Sequence, residues 1–248
     1  MQIRTSGRKG GCRLKYDVVV PLGMNCCSAF QLRHRGLRQY ALPFDWVLMQ
    51  GQESVRYMAH GFSNRFASLA LKENLMPAVG PHWDPRSRYD RTNGFYFLHH
   101  FSGDFDRPGV YEAMYAKLRS RIDRLFCVLS HARTALIVMA LLEPISVEII
   151  EELKESLRQA FPDTCFTFRF VQFMANEYGL PDGDEFVAVN RRQSDYDMNF
   201  TSAEWSFLDD VDTPRRKMSR YDKIVRKVYK WARKRLVAYG IGSMRSFS

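Results

Sequence analysis

The segment from Thr134 to Met174 limits the folds open to this chain more than any other. Thr134 to Leu142 is an almost unbroken apolar run, ended by Glu143-Pro144. Ser146 is a good N-cap residue with Glu148 in the first turn behind it. Ile149, Ile150, Leu153 and Leu157 then mark one face of a helix reaching Phe161. Phe166 to Met174 is a second strand. Strand, helix and strand predict a parallel β-α-β unit, because parallel neighbours need a crossover of that length. Parallel sheets are covered on both faces. The expected fold class is therefore α/β, a mainly parallel sheet flanked by helices.

Val18 to Val20 is β-branched and reads as another buried strand. Pro21, Leu22 and Gly23 break it, and Ser28 to Arg35 reads as a helix that Gly36 stops. Ser54 to Leu71 is a predicted helix with Val55, Met58, Phe62 and Phe66 on one face, weakened by Gly61. Pro77 to Gly94 reads as a long loop carrying His82-Trp83 and Tyr89-Asp90-Arg91, a candidate cover for a site. Phe95 to Leu98 is a short aromatic strand running into His99-His100-Phe101, and Tyr111 to Leu129 is a helix. A short strand over Phe186 to Asn190 and a less regular segment around Trp205, from Asp195 to Asp212, close the domain. The expected organisation is a loose basic leader over 1–15, one α/β domain over 16–212 and a basic tail over 213–248.

The net charge is +10. From Arg215 to Arg235 there are eleven Lys and Arg residues against Asp222 alone, which is the excess of the whole chain. Tyr221, Ile224, Val225, Val228, Ala232, Leu236 and Tyr239 recur there at helical spacing. A basic amphipathic helix with Trp231 suits an anionic membrane surface, with nucleic acid as the weaker alternative. No apolar h-region follows the basic start, and no stretch reaches the roughly 20 apolar residues of a membrane span. Five cysteines, Cys12, Cys26, Cys27, Cys127 and Cys165, are an odd number without regular spacing. They argue against a disulfide scaffold and for a cytoplasmic setting, peripheral at the membrane if the tail binds there. No Cys/His ligand pattern calls for a metal, and neither G-x-G-x-x-G nor a P-loop is present, so no cofactor is expected.

Candidate chemistry gathers at the first strand–turn–helix unit. Cys26 and Cys27 fall at the start of the helix, where unpaired N–H groups and the macrodipole favour a thiolate. Downstream comes Pro43-Phe44-Asp45-Trp46, in which Phe44 and Trp46 read as core anchors. Asp45, between two aromatics, needs a partner. Arg38 is a candidate for that partner or for contacting an anionic substrate.

The run Leu22-Gly23-x-x-Cys26-x-x-Ala29-x-x-Leu32, then Gly36-Leu37-Arg38, then Pro43-Phe44-Asp45-Trp46 resembles the opening signature of an uncharacterised, mainly bacterial family. That family is described as "putative papain-like cysteine peptidases". Its His-Asp-Phe element matches His99-His100-Phe101 here. Two positions depart from the pattern: Pro21 replaces a serine and His100 replaces the aspartate. The resemblance implies a cysteine-dependent hydrolase or acyl-transfer enzyme, with Cys26 as nucleophile, His99 as base and Asp45, Asp104 or Asp106 as the group that orients the imidazole. Asp45 is the first choice among the three. Gly23, Asn25, Arg38 and His100 are the candidate substrate-contacting residues, for a peptide or glycan-linked substrate.

Papain-type enzymes pack the cysteine helix on a mainly antiparallel sheet, whereas this chain carries a β-α-β unit. In a doubly wound sheet, ligands bind outside the carboxyl ends of the strands. Cys26 and His99 each follow such an end, so one crevice would hold both. The same crevice suits a transferase handling a glycan or nucleotide-sugar, with the turn's N–H groups on a phosphate. A non-catalytic membrane-surface binding module is the third alternative.

Overall fold

The computed structural model describes residues 14–79, 87–98, 105, 107–179, 183–190 and 203–214. In chain order the first elements are β1 (Leu14–Lys15), β2 (Val18–Pro21), α1 (Cys27–His34), β3 (Val47–Met49) and α2 (Gly51–Asn64). Then come β4 (Leu75–Pro77), β5 (Arg88–Asp90), β6 (Phe95–Phe97), α3 (Val110–His131) and β7 (Thr134–Leu141). The last are α4 (Val147–Ala160), β8 (Cys165–Phe173), α5 (Ala175–Tyr178), β9 (Phe186–Val189) and β10 (Val211–Asp212), with a 3-10 helix at Ala203–Leu208 before β10.

Strands β2, β7, β8 and β9 form a parallel sheet in that order. Alternation along its strands separates two cores. Val18, Val20, Ala135, Ile137, Met139 and Leu141 face the larger core, filled by α2, α3 and α4. Val19, Leu136, Val138 and Ala140 face the smaller one, closed by Cys27 and Leu32 of α1 and by Trp205 and Leu208. Both faces are covered, as the apolar runs require. The α/β class with a parallel sheet flanked by helices is therefore the fold; the basic C-terminal helix and the tail lie outside the described residues.

A second, antiparallel sheet has the order β3-β6-β5-β4. It corrects two expectations. Pro77 to Gly94 is not wholly loop, because Pro77 ends β4 and Arg88–Asp90 is β5. More consequentially, β6 belongs to this sheet and not to the parallel one, so the residues after it do not follow a parallel strand's carboxyl end. What closes the sheet is a buried carboxylate. Asp90 accepts hydrogen bonds from the Ala70 N–H at 2.8 Å and the Asn93 side-chain amide at 2.7 Å. Its other oxygen takes the Thr92 and Asn93 N–H groups.

Helix α2 ends at Asn64, short of the expected Leu71, because Arg65 and Phe66 adopt left-handed backbone at φ 55°. That reversal swings the Phe66 ring back over Gly61, where a Cβ would fall 2.1 Å from the ring. Gly61 is thus the packing surface for Phe66, and its absent side chain is what the turn requires. The expected leader also differs at its end, since Leu14–Lys15 pair in parallel with Val211–Asp212. Among the described residues no helix is long and apolar enough to cross a membrane.

Candidate active site

Cys26 sits where β2 gives way to α1. The intervening turn is fixed by its own backbone: the Leu22 N–H donates to Val138 O at 3.1 Å, the Ala140 N–H to Gly23 O at 3.1 Å, and the Met49 N–H to Met24 O at 2.9 Å. The turn is thereby tied to β7 on one side and to β3 on the other. Gly23 has φ 93°, which disfavours a side chain, and a Cβ there would come 2.6 Å from the Met49 methyl group and have to displace it. Gly23 therefore has a structural task that any substrate contact would add to.

Asn25 is almost fully buried, at 4% exposure. Its Oδ1 accepts the Cys27 N–H at 2.8 Å, satisfying one of the orphan donors at the start of α1 in an Asx turn. Its Nδ2 has no hydrogen-bond partner among the described residues. Cys26 itself is the N-cap residue, with helical backbone and its carbonyl accepting the Phe30 N–H at 3.0 Å. Burial pushes its thiol up to about 11, and a hydrogen bond from its own backbone N–H offsets this only in part. The helix-terminus argument for a ready thiolate is thus outweighed by desolvation. Near neutral pH the group is a thiol, and it needs a base to become a nucleophile.

The Pro43-Phe44-Asp45-Trp46 box lies across this turn. The Phe44 carbonyl approaches to 3.8 Å of the Cβ position on Gly23, and the Trp46 ring meets Phe30 of α1 edge-on at 4.9 Å. Asp45 is fully buried and its Oδ2 carries the load: it accepts the Arg38 Nε–H at 2.9 Å, a second Arg38 N–H, and the Leu42 N–H at 3.0 Å. Burial raises its pKa against the opposing pull of the Arg38 guanidinium. Its Oδ1 has no hydrogen-bond partner among the described residues. Of the two partners open to Arg38, the structure places Asp45, and the guanidinium also lies over Trp46, 5.6 Å from the ring centre.

The described residues thus place Gly23, Asn25 and Cys26 in one turn and pair Arg38 with Asp45 in the box whose Phe44 and Trp46 pack against that turn and α1. His99 and His100 lie outside the described residues, as do Asp104, Asp106 and His82-Trp83. Other polar groups went unread in the sequence. Ser28, in the first turn of α1, is fully buried, and its hydroxyl has no hydrogen-bond partner among the described residues. Glu143, past the end of β7, accepts the Gly51 N–H at the start of α2. An acid directly after an apolar strand was the available signal for Glu143; nothing in the sequence marked Ser28. Among the described residues no cluster of three or more His, Cys, Asp or Glu side chains is placed to hold a metal ion.

Comparison with known proteins covers this first unit and most of the parallel sheet. A model of the family described as "Putative papain-like cysteine peptidase" matches residues 17–174, from the entry to β2 to the end of β8. The chain is 28% identical over 153 residues to "Uncharacterized protein R408" of Acanthamoeba polyphaga mimivirus, a stretch covering 56% of this chain and 69% of that protein. No solved structure matches it. Since the family match takes in well over half of the chain, with the cysteine turn and the Pro-Phe-Asp-Trp box inside it, the protein belongs to the family described as "putative papain-like cysteine peptidase".

Proposed function

We propose that the protein is a cysteine-dependent hydrolase or acyl-transfer enzyme working through Cys26 and His99. One observation carries this: within the family-matched region, Cys26 opens α1 from a turn held rigid by backbone bonds to strands of both sheets. Preorganisation of that kind is what a nucleophile needs and a packing cysteine does not. In this scheme the His99 imidazole takes the thiol proton, Cys26 Sγ attacks a carbonyl carbon, and the leaving amine or alcohol departs with that proton. Water or a second nucleophile then cleaves the thioester.

Strand register favours His99 as the base. Phe97 pairs with Val47, so β6 ends level with Trp46, whose ring rests on Phe30 one turn beyond Cys26. His99 is two residues past Phe97 in sequence. Asp45 acts as a positioning residue, with Oδ2 committed to Arg38 and Leu42 and Oδ1 left to receive an imidazole N–H.

The test is the pH dependence of iodoacetamide alkylation at Cys26 in wild type and His99→Ala. Wild type should react with an inflection well below the ordinary thiol value of about 8.5. His99→Ala should move the inflection upward, in the direction in which burial, partly offset by the Cys26 backbone N–H, already pushes the thiol. Identical profiles in the two proteins would remove His99 from the scheme and leave Cys26 a packing residue.

A further inference from the structure

We propose that a strip of apolar and aromatic side chains beside Cys26 binds the hydrocarbon part of the substrate. The strip crosses the outer face of the antiparallel sheet, and the substrate class it selects is a long-chain acyl ester or thioester. This rests on the nucleophile reading of Cys26 and names a substrate class that reading leaves open.

The strip follows from two periodicities. Cys26 has helical backbone and its carbonyl accepts the Phe30 N–H, so both residues fall on one face of α1. Both are partly exposed, whereas Cys27, Ser28 and Ala29 between them are buried. The Phe30 ring meets Trp46 at 4.9 Å. From there strand alternation takes over: Val47 and Met49 are buried, while Trp46 and Leu48 are partly exposed on the opposite face. Leu48 lies opposite Tyr96, Tyr96 opposite Tyr89 and Tyr89 opposite Met76, so one row of side chains crosses all four strands. At about 4.8 Å per strand the row is about 14 Å long. Its strand neighbours Phe95, Phe97 and Asp90 are buried, whereas Met76 is 42% exposed and both tyrosines are partly exposed. No member of the row carries a charge.

The occupant follows from what the strip offers. Strands β5 and β6 are paired on both sides, so their backbone groups are used within the sheet and do not serve a peptide main chain. The Tyr89 and Tyr96 rings stack on each other at 4.4 Å, which closes their facing sides to a sugar ring. Arg38, whose guanidinium lies over Trp46, is engaged with Asp45. What remains is apolar surface, which a hydrocarbon chain covers without leaving a polar group unpaired. A continuous exposed patch of this kind marks a binding site. It starts on the helix face of Cys26, so the chain it holds is that of the acyl group Cys26 takes up. In that step Sγ, relieved of its proton by the base, bonds to the acyl carbonyl carbon. The bond to the alcohol or thiol breaks, that group leaves with the proton, and the chain stays on sulfur.

The test uses p-nitrophenyl acetate and p-nitrophenyl laurate, which share a leaving group and differ in chain length. Nitrophenolate release gives kcat/KM for each, with laurate kept below the concentration at which it aggregates. Each covered methylene is worth about three- to fourfold in binding, so wild type should favour laurate by about 100-fold. Tyr89→Glu and Met76→Glu put a charge in the path of the chain, and each should cut that ratio about tenfold. Tyr89→Phe keeps the ring and should preserve the ratio. A ratio near unity in wild type, or one that both glutamate variants retain, overturns the strip and leaves the nucleophile reading standing. Faster release from an N-acetylphenylalanine ester than from laurate, lost in the same variants, would seat a peptide side chain there and equally overturns the assignment. If wild type releases no more nitrophenolate than Cys26→Ala from any of these esters, the nucleophile reading itself falls, and the substrate class with it.

Discussion

The two sheets of this protein are held by different physics. In the parallel sheet every residue of β7 after Thr134 is buried, and all of them are apolar. Its strands are eight and nine residues long at the centre, and helices cover one face while α1 and the Trp205 turn cover the other. The antiparallel sheet is made of three-residue strands, too short to be stable on their pairing alone. Phe95 and Phe97 anchor it in the core, but a single buried carboxylate, Asp90, organises its far side by collecting N–H groups from Ala70 and from the turn at Thr92 and Asn93. One sheet is specified by a pattern, the other by a point. A pattern tolerates single changes that a point does not.

Asp90→Ala should give the largest effect. It leaves the Ala70 N–H without its acceptor and takes the carboxylate from the Thr92 and Asn93 N–H groups and the Asn93 side-chain amide, of which the Asn93 groups keep only the Asp90 and Ser68 carbonyls. At about 1–3 kcal/mol for each buried donor, partly relieved by entering water, the expected loss is about 4 kcal/mol. Denaturant unfolding measures the total, and native-state hydrogen exchange locates it. Amides of β5 and β6 should lose protection well before those of β7 and β8. If all four strands lose it together, the sheets unfold as one unit and the contrast between them is wrong.

This difference also decides what was legible in the sequence. Thr134 to Leu142 and Phe166 to Met174 announced themselves because burial on both faces leaves a continuous apolar run. Arg88-Tyr89-Asp90 carries no such signal: two of the three residues are charged, yet Arg88 and Asp90 are buried and Tyr89 stacks across the pair on Tyr96 at 4.4 Å. Assigning β6 to the parallel sheet was the same error, since periodicity shows a strand but not which partner it takes. At the site, the cysteine turn and the need of Asp45 for a partner were readable from residue type. The burial of Asn25 was not, because residue type alone places an asparagine in a turn at the surface.

Arg38→Leu probes the joint between the sheets. The Arg38–Asp45 pair ties the helix α1 side of the box to the strand that opens the antiparallel sheet, and Asp45 is fully buried. Removing one partner of a buried pair strands the other, at a cost of about 3 kcal/mol here. The pH dependence gives the sign. Burial already raises the Asp45 pKa, so the folded state holds its proton more tightly than the unfolded chain does. Stability from this group therefore falls as pH rises through the window between the ordinary and the raised carboxylate values. Without Arg38 the pKa rises further and the window widens. Arg38→Leu should recover stability on acidification more than wild type does, measured by thermal unfolding across mildly acidic to neutral pH. A loss that does not depend on pH would mean that Arg38 acts by packing on Trp46 and not by its charge.

Ser28→Ala is the smallest expected change and the sharpest in sign. Ser28 and Asp90 are both polar and both fully buried, so a rule based on burial alone predicts that replacing either by alanine is harmful. Their hydrogen bonding says otherwise. Each Asp90 oxygen accepts at least two donors, whereas the Ser28 hydroxyl has no partner among the described residues. Deleting an unsatisfied buried hydroxyl removes a desolvation cost, and alanine has the higher helix propensity, so Ser28→Ala should gain about 1 kcal/mol. A shift of the unfolding midpoint to higher denaturant with unchanged slope would show it. A loss instead would mean that this hydroxyl holds an ordered water. The parallel side of the molecule would then also rest, at the cysteine turn, on a satisfied polar point within its apolar pattern.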